Sequence, residues 1–588
     1  MKKVKALRTT IIRPWSLFEI SRVLILIIGI VLGVLVQEMY WHGEYFRLNT
    51  AKNVRNENCV VAEKNTNSEK TDELPKLLTE PRNVPMDIII ENGTDTQKGK
   101  PFTPFLRKLR VTSAAKSRIT LQRKGKGKKA PAVSKGEILN VTIQTYDANG
   151  RHRTVGRDFF FAVMLNTKLQ KSTTGKIIDH NDGSYTVQFY AGWAGPASIV
   201  ITLVHPREAV NWIETVYRPK ERCVEWRGTF KNKNVTEQST CYVFRGQTVK
   251  SKCVYSNKNS LGNTAFVCDE LKYLSCMDIQ SVLTNVSKIA LYVKQTLSDE
   301  EEFLFERPYL MTPLVGSPLN INITESKFKN LDSKLQSDAL RSCGPELSIP
   351  VSDGFWDSQE KWYSLACKAR HWNTVQALRC LTKKTVYFFG DSTIFQLCKA
   401  VNDALNITSK KTGRYSLYSN ESVHNVSLFS YFHAITVGSV VVDFWSQNFE
   451  SDIIDDIGDT TCDLVIVISL SYHYSYWTKV SYEERLLRLR QSIIRLKYRC
   501  PDVTVIVKSS HPREHKSKEA YIYNSDWILF DMNNMMRDIF KGIGVSFLNV
   551  FDMSLAHFSK NTVHMPLNPV IRQQADLLFS YICPHFVD

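Results

Sequence analysis

From Val23 to Val36 the chain runs fourteen residues without a charged or polar side chain. As a helix that run rises about 21 Å, short of a hydrocarbon core of roughly 30 Å. Counting from Phe18 to the aromatic edge at Tyr40 and Trp41 makes a span feasible, with Arg22 snorkelling on one side. The pattern predicts a basic cytoplasmic tail over 1–22 and a signal-anchor over 23–41. A cleaved secretory signal is the alternative, but the exit Val36-Gln37-Glu38-Met39-Tyr40-Trp41 offers no small-residue cleavage site. Residues 42–100 then turn polar, as in Asn65-Thr66-Asn67-Ser68-Glu69-Lys70, and read as a solvated stalk.

Further along, the apolar positions alternate. Ile138-Leu139-Asn140-Val141-Thr142-Ile143 leads into the turn Asp147-Ala148-Asn149-Gly150. Phe159 to Met164, Ser184 to Phe189 and Ala197 to Val204 follow as strands between Gly- and Asp-containing turns. These predict an antiparallel β-sandwich over 101–300, with a disulfide-stapled extension carrying Cys223, Cys241, Cys253, Cys268 and Cys276. Residues 301–340 read as a linker. Over 341–588 the period changes again. Val386 to Phe389, Leu464 to Ile468, Val503 to Val507 and Val545 to Val550 are apolar strand-length runs. Between them Ile394, Leu397, Cys398 and Val401, then Leu486, Leu489, Ile493 and Leu496, and then Ile528 to Phe540, carry helical spacing. Strand–helix alternation predicts a doubly wound α/β domain.

Length and charge sharpen this multi-domain picture. A chain of 588 residues exceeds one core, and its net charge of +18 would suit nucleic acid, anionic membranes or acidic glycans. Between Asp95 and Glu137 there are thirteen Lys or Arg residues and no acid, densest at Arg123-Lys124-Gly125-Lys126-Gly127-Lys128-Lys129. Compartment decides among the partners. Six basic residues precede the apolar run and only Arg47 lies within fifteen residues after it, so the N-terminus stays cytoplasmic and the rest faces the lumen. Nucleic acid is thereby excluded, leaving a solvated loop or an acidic-glycan contact. Eight sequons, at Asn92, Asn140, Asn234, Asn285, Asn322, Asn406, Asn420 and Asn425, all follow the run. So do all thirteen cysteines, widely spaced and without C-x2-C pairs, which suits structural disulfides rather than metal sites. One cysteine is left over. Cys59, alone in the stalk, is a candidate for a disulfide-linked homodimer; Cys398, on the apolar face of a helix, is the competing odd thiol.

The richest chemistry lies at Gly390-Asp391-Ser392, where a buried strand turns into a helix. A serine there meets free helix N-terminal amides that can stabilise an oxyanion, while its bland role is to cap the helix. At this point the chain resembles the neurexophilin and PC-esterase domain family, the NXPE proteins. The β region resembles the neurexophilin-like module through Tyr146-Asp147-Ala148-Asn149-Gly150, Gly156-Arg157-Asp158-Phe159-Phe160, Asp182-Gly183-Ser184-Tyr185, Ala191-Gly192-Trp193-Ala194-Gly195 and Leu203-Val204-His205-Pro206. The C-terminal region is similar to the PC-esterase branch of SGNH hydrolases through Phe389-Gly390-Asp391-Ser392-Thr393 and His564.

The resemblance implies a nucleophile at Ser392, a base at His564, and an oxyanion or substrate site built from Gly390, Asp391 and His473. It leaves Gly413 and Gly438 both open as the second-block glycine. It implies an O-acetyl transferase or esterase acting on glycans or glycoproteins, among them sialylated ones, in the Golgi or another secretory membrane. No resident cofactor is implied; a transferase would draw on acetyl-CoA or an acetylated intermediate. Two departures count against turnover. Asn561 stands where the family's base motif has Asp, and an amide can orient an imidazole but lends it no charge. In one serine hydrolase that change costs about 10⁴ in turnover. Phe395 stands where an arginine is expected, and a phenyl ring holds no anion. The competing reading is therefore a non-catalytic glycoprotein that binds a glycan or cell-surface protein.

Overall fold

A computed structural model describes residues 110–587 apart from 123–132, 222–223, 247–250, 285–292, 299–300, 307–308, 326–339, 414–415, 439–440, 458–461 and 516. The basic tail, the apolar run, the stalk with Cys59 and Asn92, the Arg123–Lys129 tract, Cys223 and Asn285 all lie outside the described residues. No described helix is long and apolar enough to cross a membrane.

The alternating segments form a sandwich. One sheet orders Arg118–Leu121, Ile138–Gln144, Ser184–Tyr190 and Lys176–Asp179, all antiparallel. Its inward positions Leu139, Val141, Ile143, Tyr185, Val187 and Phe189 meet Phe160, Met164, Ile199 and Ile201 of the second sheet. The unbroken Phe159-Phe160-Phe161 run has a tertiary cause. Phe160 points into the sandwich, whereas Phe159 and Phe161 pack with Phe551 and Trp527 of the C-terminal domain. Both faces of this strand are covered, so no polar position is needed.

The second sheet also crosses the expected boundaries. Leu319–Thr324, from the interval read as a linker, pairs with Gly195–His205. Gly354–Trp356, from the interval assigned to the α/β domain, pairs with Lys171–Thr174, and Trp362–Ser364 extends that edge. Edge strands this short carry no alternating pattern of their own. The cysteine-dense stretch is likewise not part of the sandwich. It forms a separate sheet, from Cys253–Ser256 through Thr264–Cys268, Val235–Arg245, Glu225–Asn232 and Ile279–Thr284 to Val441–Asp443. Cys241–Cys268 and Cys253–Cys276 staple it. Its Trp226, Phe230 and Phe266 share a core with the α/β domain.

In the α/β domain, the strands Val426–Phe432, Thr385–Gly390, Leu464–Ser469, Thr504–Lys508 and Ser546–Leu548 lie parallel in that spatial order. An antiparallel hairpin of Ser409–Gly413 and Ser416–Glu421 adds one edge. Helices cover both faces, which explains why these strands read as solid apolar runs. Val465 and Val467 pack toward Ser392–Leu405 and Arg572–Ile582, while Leu464, Ile466 and Ile468 pack toward Lys479–Arg499 and Asp526–Phe540. Cys343–Cys367, Cys380–Cys583 and Cys462–Cys500 bring the bridges among the described residues to five. Cys398 is the free thiol among the described residues, buried on its helix, with its pKa pushed up to about 12 by desolvation.

Candidate functional site

Parallel strands that end in register bring the residues after them together. Gly390 is level with Phe432 on one side and Ser469 on the other. Asp391-Ser392, His433, Ser471 to His473 and Ser509 to Arg513 therefore follow the ends of four adjacent strands. Gly390 has no room for a side chain, because a Cβ would collide with the Ser469 carbonyl oxygen.

Asp391 caps the helix that starts at Ser392. Its Oδ1 accepts from the Thr393 N–H (2.8 Å) and the Thr393 hydroxyl (2.7 Å), and its carbonyl accepts from the Ile394 and Phe395 N–H groups. The Ser392 N–H is the amide left over at this helix start, and it is the one placed to receive an oxyanion. The buried Oδ2 of Asp391 is without a hydrogen-bond partner, and the charge of this residue raises the proton affinity of His473, His564 and Lys508.

His564 Nε2 lies 2.7 Å from Ser392 Oγ, within reach for proton transfer. The loop that carries this histidine is held by its backbone. His511 Nε2–H donates to the Thr562 carbonyl (3.0 Å), Gln396 Nε2 to the Met565 carbonyl (2.5 Å), and Glu514 N–H to the Asn561 carbonyl (2.9 Å). Asn561 does not orient the imidazole as expected. Its Oδ1 is buried without a hydrogen-bond partner, so tethering of the loop takes the place of a side-chain support. Asp552 offers no replacement, since its neighbours are Thr174 and Asp353.

His473 is held beside His433. Its Nδ1 lies 2.8 Å from His433 Nε2 and 3.4 Å from the Val437 N–H, which can only donate. His433 Nδ1 lies 2.8 Å from the Ala434 carbonyl, which can only accept, and 3.0 Å from the Tyr474 hydroxyl. These contacts accommodate either tautomer of the pair. Burial holds the His473 pKa below the usual value, with that of His433 well below. His433 was not legible in the sequence, since an isolated histidine after an alternating strand carries no motif. Gly438 donates its N–H to Thr284 Oγ1 (3.2 Å), and Gly413 lies on the edge hairpin.

Burial lowers the His564 pKa below 6.5, Asp391 acts in the opposite direction, and Arg513 adds to the lowering. The neutral form is the base, so its reactivity is full above this pKa and lost as pH falls through it. The rate of covalent labelling of Ser392 is therefore expected to be half-maximal below pH 6.5. A midpoint above 7, measured with a fluorophosphonate probe across pH 4–8, contradicts the assignment.

Two family models match. One, described as NXPE family member 4-like, C-terminal domain, covers residues 362–583 and so contains the whole Ser392–His564 site. The other, Neurexophilin, covers residues 121–293, which hold most of the sandwich strands and the start of the cysteine-rich sheet. The chain belongs to the NXPE family, with a neurexophilin-like region ahead of its C-terminal domain. Among solved structures it is similar to invasin, a bacterial integrin-binding protein, at 8% identity over 55% of this chain and 60% of that one. The TM-score is 0.12, a superposition that carries no argument.

Proposed function

We propose that this protein is a glycan-directed O-acetyl transferase or esterase of the secretory pathway, with sialylated glycans among its substrates. The observation that carries the reading is the 2.7 Å contact between Ser392 Oγ and His564 Nε2 at the carboxyl ends of the parallel strands. In this reading the C-terminal domain works as an SGNH-type site. Ser392 Oγ attacks an acetyl carbonyl while His564 Nε2 takes its proton, and the Ser392 N–H receives the developing oxyanion. The proton on His564 then passes to the departing alkoxide, or to the thiolate of an acetyl-CoA donor, leaving acetyl-serine. A water or sugar hydroxyl gives its proton to His564 and attacks the acetyl carbonyl, and His564 returns that proton to Ser392 Oγ as the acetyl–serine bond breaks. An acetyl donor such as acetyl-CoA or an acetylated intermediate supplies the group in the transferase case.

The test is fluorophosphonate labelling of the purified lumenal part, followed by turnover of acetylated sialosides and simple acetyl esters. Labelling at Ser392 with acetyl-ester turnover supports the reading, and an unlabelled folded protein sinks it. A second reading, a binding protein on a hydrolase scaffold, is favoured by one observation: the Asn561 side chain makes no hydrogen bond to His564.

The compartment reading has its own test. We expect a type II orientation behind a Val23–Val36 anchor, with Cys59 of the stalk joining two chains. The side chains of Asn234, Asn322, Asn406, Asn420 and Asn425 are exposed, whereas Asn140 is half-buried in a strand and its Oδ1 is enclosed. Glycopeptide mapping after peptide N-glycosidase in ¹⁸O water is expected to mark those five and leave Asn140 unmodified. Five unmodified asparagines would overturn the lumenal placement.

A further inference from the structure

The segment that carries the base has little of its own to hold it. From His557 to His564 it contains no buried residue and no helix or strand, and His564 itself is exposed. Burial resumes only at Met565, which is 1% exposed. Side-chain packing ahead of the base therefore does not set the 2.7 Å approach of His564 Nε2 to Ser392 Oγ. That task falls to hydrogen bonds on the main chain.

Two of those bonds come from side chains on fixed elements, one on each side of the base. Ahead of it, His511 Nε2–H donates to the Thr562 carbonyl at 3.0 Å, and after it, Gln396 Nε2 donates to the Met565 carbonyl at 2.5 Å. Both acceptors are carbonyls, which fixes the ring proton of His511 on Nε2 and turns the amide nitrogen of Gln396 toward the loop. Burial pushes the His511 pKa down to about 3, so the ring is neutral and that proton is its only one.

The two donors are themselves firmly seated. Gln396 lies one turn beyond Ser392 on the helix Ser392–Leu405, so the face that presents the nucleophile also grips the residue next to the base. His511 is fully buried, and its main chain is clasped by Tyr472. The His511 N–H donates to the Tyr472 hydroxyl (3.2 Å), which in turn donates to the His511 carbonyl (2.5 Å). The preceding Ser510 gives both its N–H and its hydroxyl to Asn533 Oδ1, at 2.9 and 3.0 Å. Such seating matters because a catalytic group displaced by about 1 Å loses on the order of 10² in rate.

We infer that Gln396 and His511 are the positioning residues of this site, gripping the main chain on either side of His564 so that its Nε2 stays on Ser392 Oγ. They stand in for the support that Asn561 Oδ1 does not give the imidazole. This assignment rests on the acyl-transfer reading and deepens it: the base is held through its backbone, from the nucleophile's own helix and from the neighbouring strand end.

The test is the rate of fluorophosphonate labelling of the full lumenal part as a function of probe concentration, with folding checked by thermal melting. Gln396→Leu and His511→Leu are each expected to lower the maximal rate by about tenfold or more, with the half-saturating probe concentration unchanged. His511→Gln, whose amide nitrogen reaches about as far as Nε2, is expected to recover most of that rate, which a loss of packing alone would not do. Gln396 is half-buried, so Gln396→Leu is expected to fold even if the variants at His511 do not. A folded Gln396→Leu that labels at the wild-type maximal rate overturns the inference, as does a folded His511→Gln as slow as a folded His511→Leu. A loss confined to the half-saturating concentration overturns it too, since that would be a binding role. The two readings fail distinguishably. A wild type that does not label removes acyl transfer and with it the base to be positioned, whereas a wild type and variants that label equally fast remove the positioning role and leave acyl transfer standing.

Discussion

Replacing Ser392 with alanine is expected to abolish fluorophosphonate labelling and to lower acetyl-ester turnover by about 10³-fold or more. The magnitude follows from removing a nucleophile whose partner acts with it as one unit. His564→Gln should cost as much, and the double variant hardly more, because neither group works alone. The fold should tolerate the change, since Ser392 is half-buried and the helix start is capped by Asp391, not by the serine. Turnover that survives in Ser392→Ala would place the chemistry elsewhere. Turnover lost in Ser392→Ala but kept in His564→Gln would remove the base from the mechanism.

A second large effect is expected beneath the site, on stability. Arg485 is fully buried, bonded in two places to the equally buried Glu450 and flanked by the rings of Phe449, Tyr474 and Trp477. Arg485→Met leaves Glu450 as an unpaired buried acid, and denaturant unfolding should show a loss of about 3–5 kcal/mol. Glu450→Gln should cost less, because an amide oxygen still accepts one of the bonds. The double variant Arg485→Met, Glu450→Leu should recover much of the loss, since apolar groups of similar volume often replace a buried pair at little cost. A double variant as unstable as Arg485→Met would mean that the stacked rings, not the ion pair, dominate. Tyr474 links this pair to the site through its hydroxyl, 3.0 Å from His433 Nδ1. Arg485→Met is therefore also expected to disturb the His433–His473 contact.

What local pattern could encode was legible in the chain itself. Alternation of period two at Leu139, Val141 and Ile143 put one face of a sheet inward, and the solid runs at Val386–Phe389 and Leu464–Ile468 required cover on both faces. The turn at Gly390-Asp391-Ser392 followed from a strand meeting a helix with a short acidic cap between them. These features depend on neighbours within a few residues, so sequence alone determined them.

The tertiary structure decided everything that depends on distant partners. It brought His564 to Ser392 across 172 positions, and it placed His433 beside His473 by levelling the ends of neighbouring strands. It moved Gly354–Trp356 into the sandwich and the cysteine-rich sheet onto the α/β domain. It left Asn561 Oδ1 without a hydrogen bond to the imidazole. The physical reason is common to all of these. A hydrogen bond or an ion pair is defined by direction and by the burial of both partners, and neither leaves a periodic trace in the residues around it.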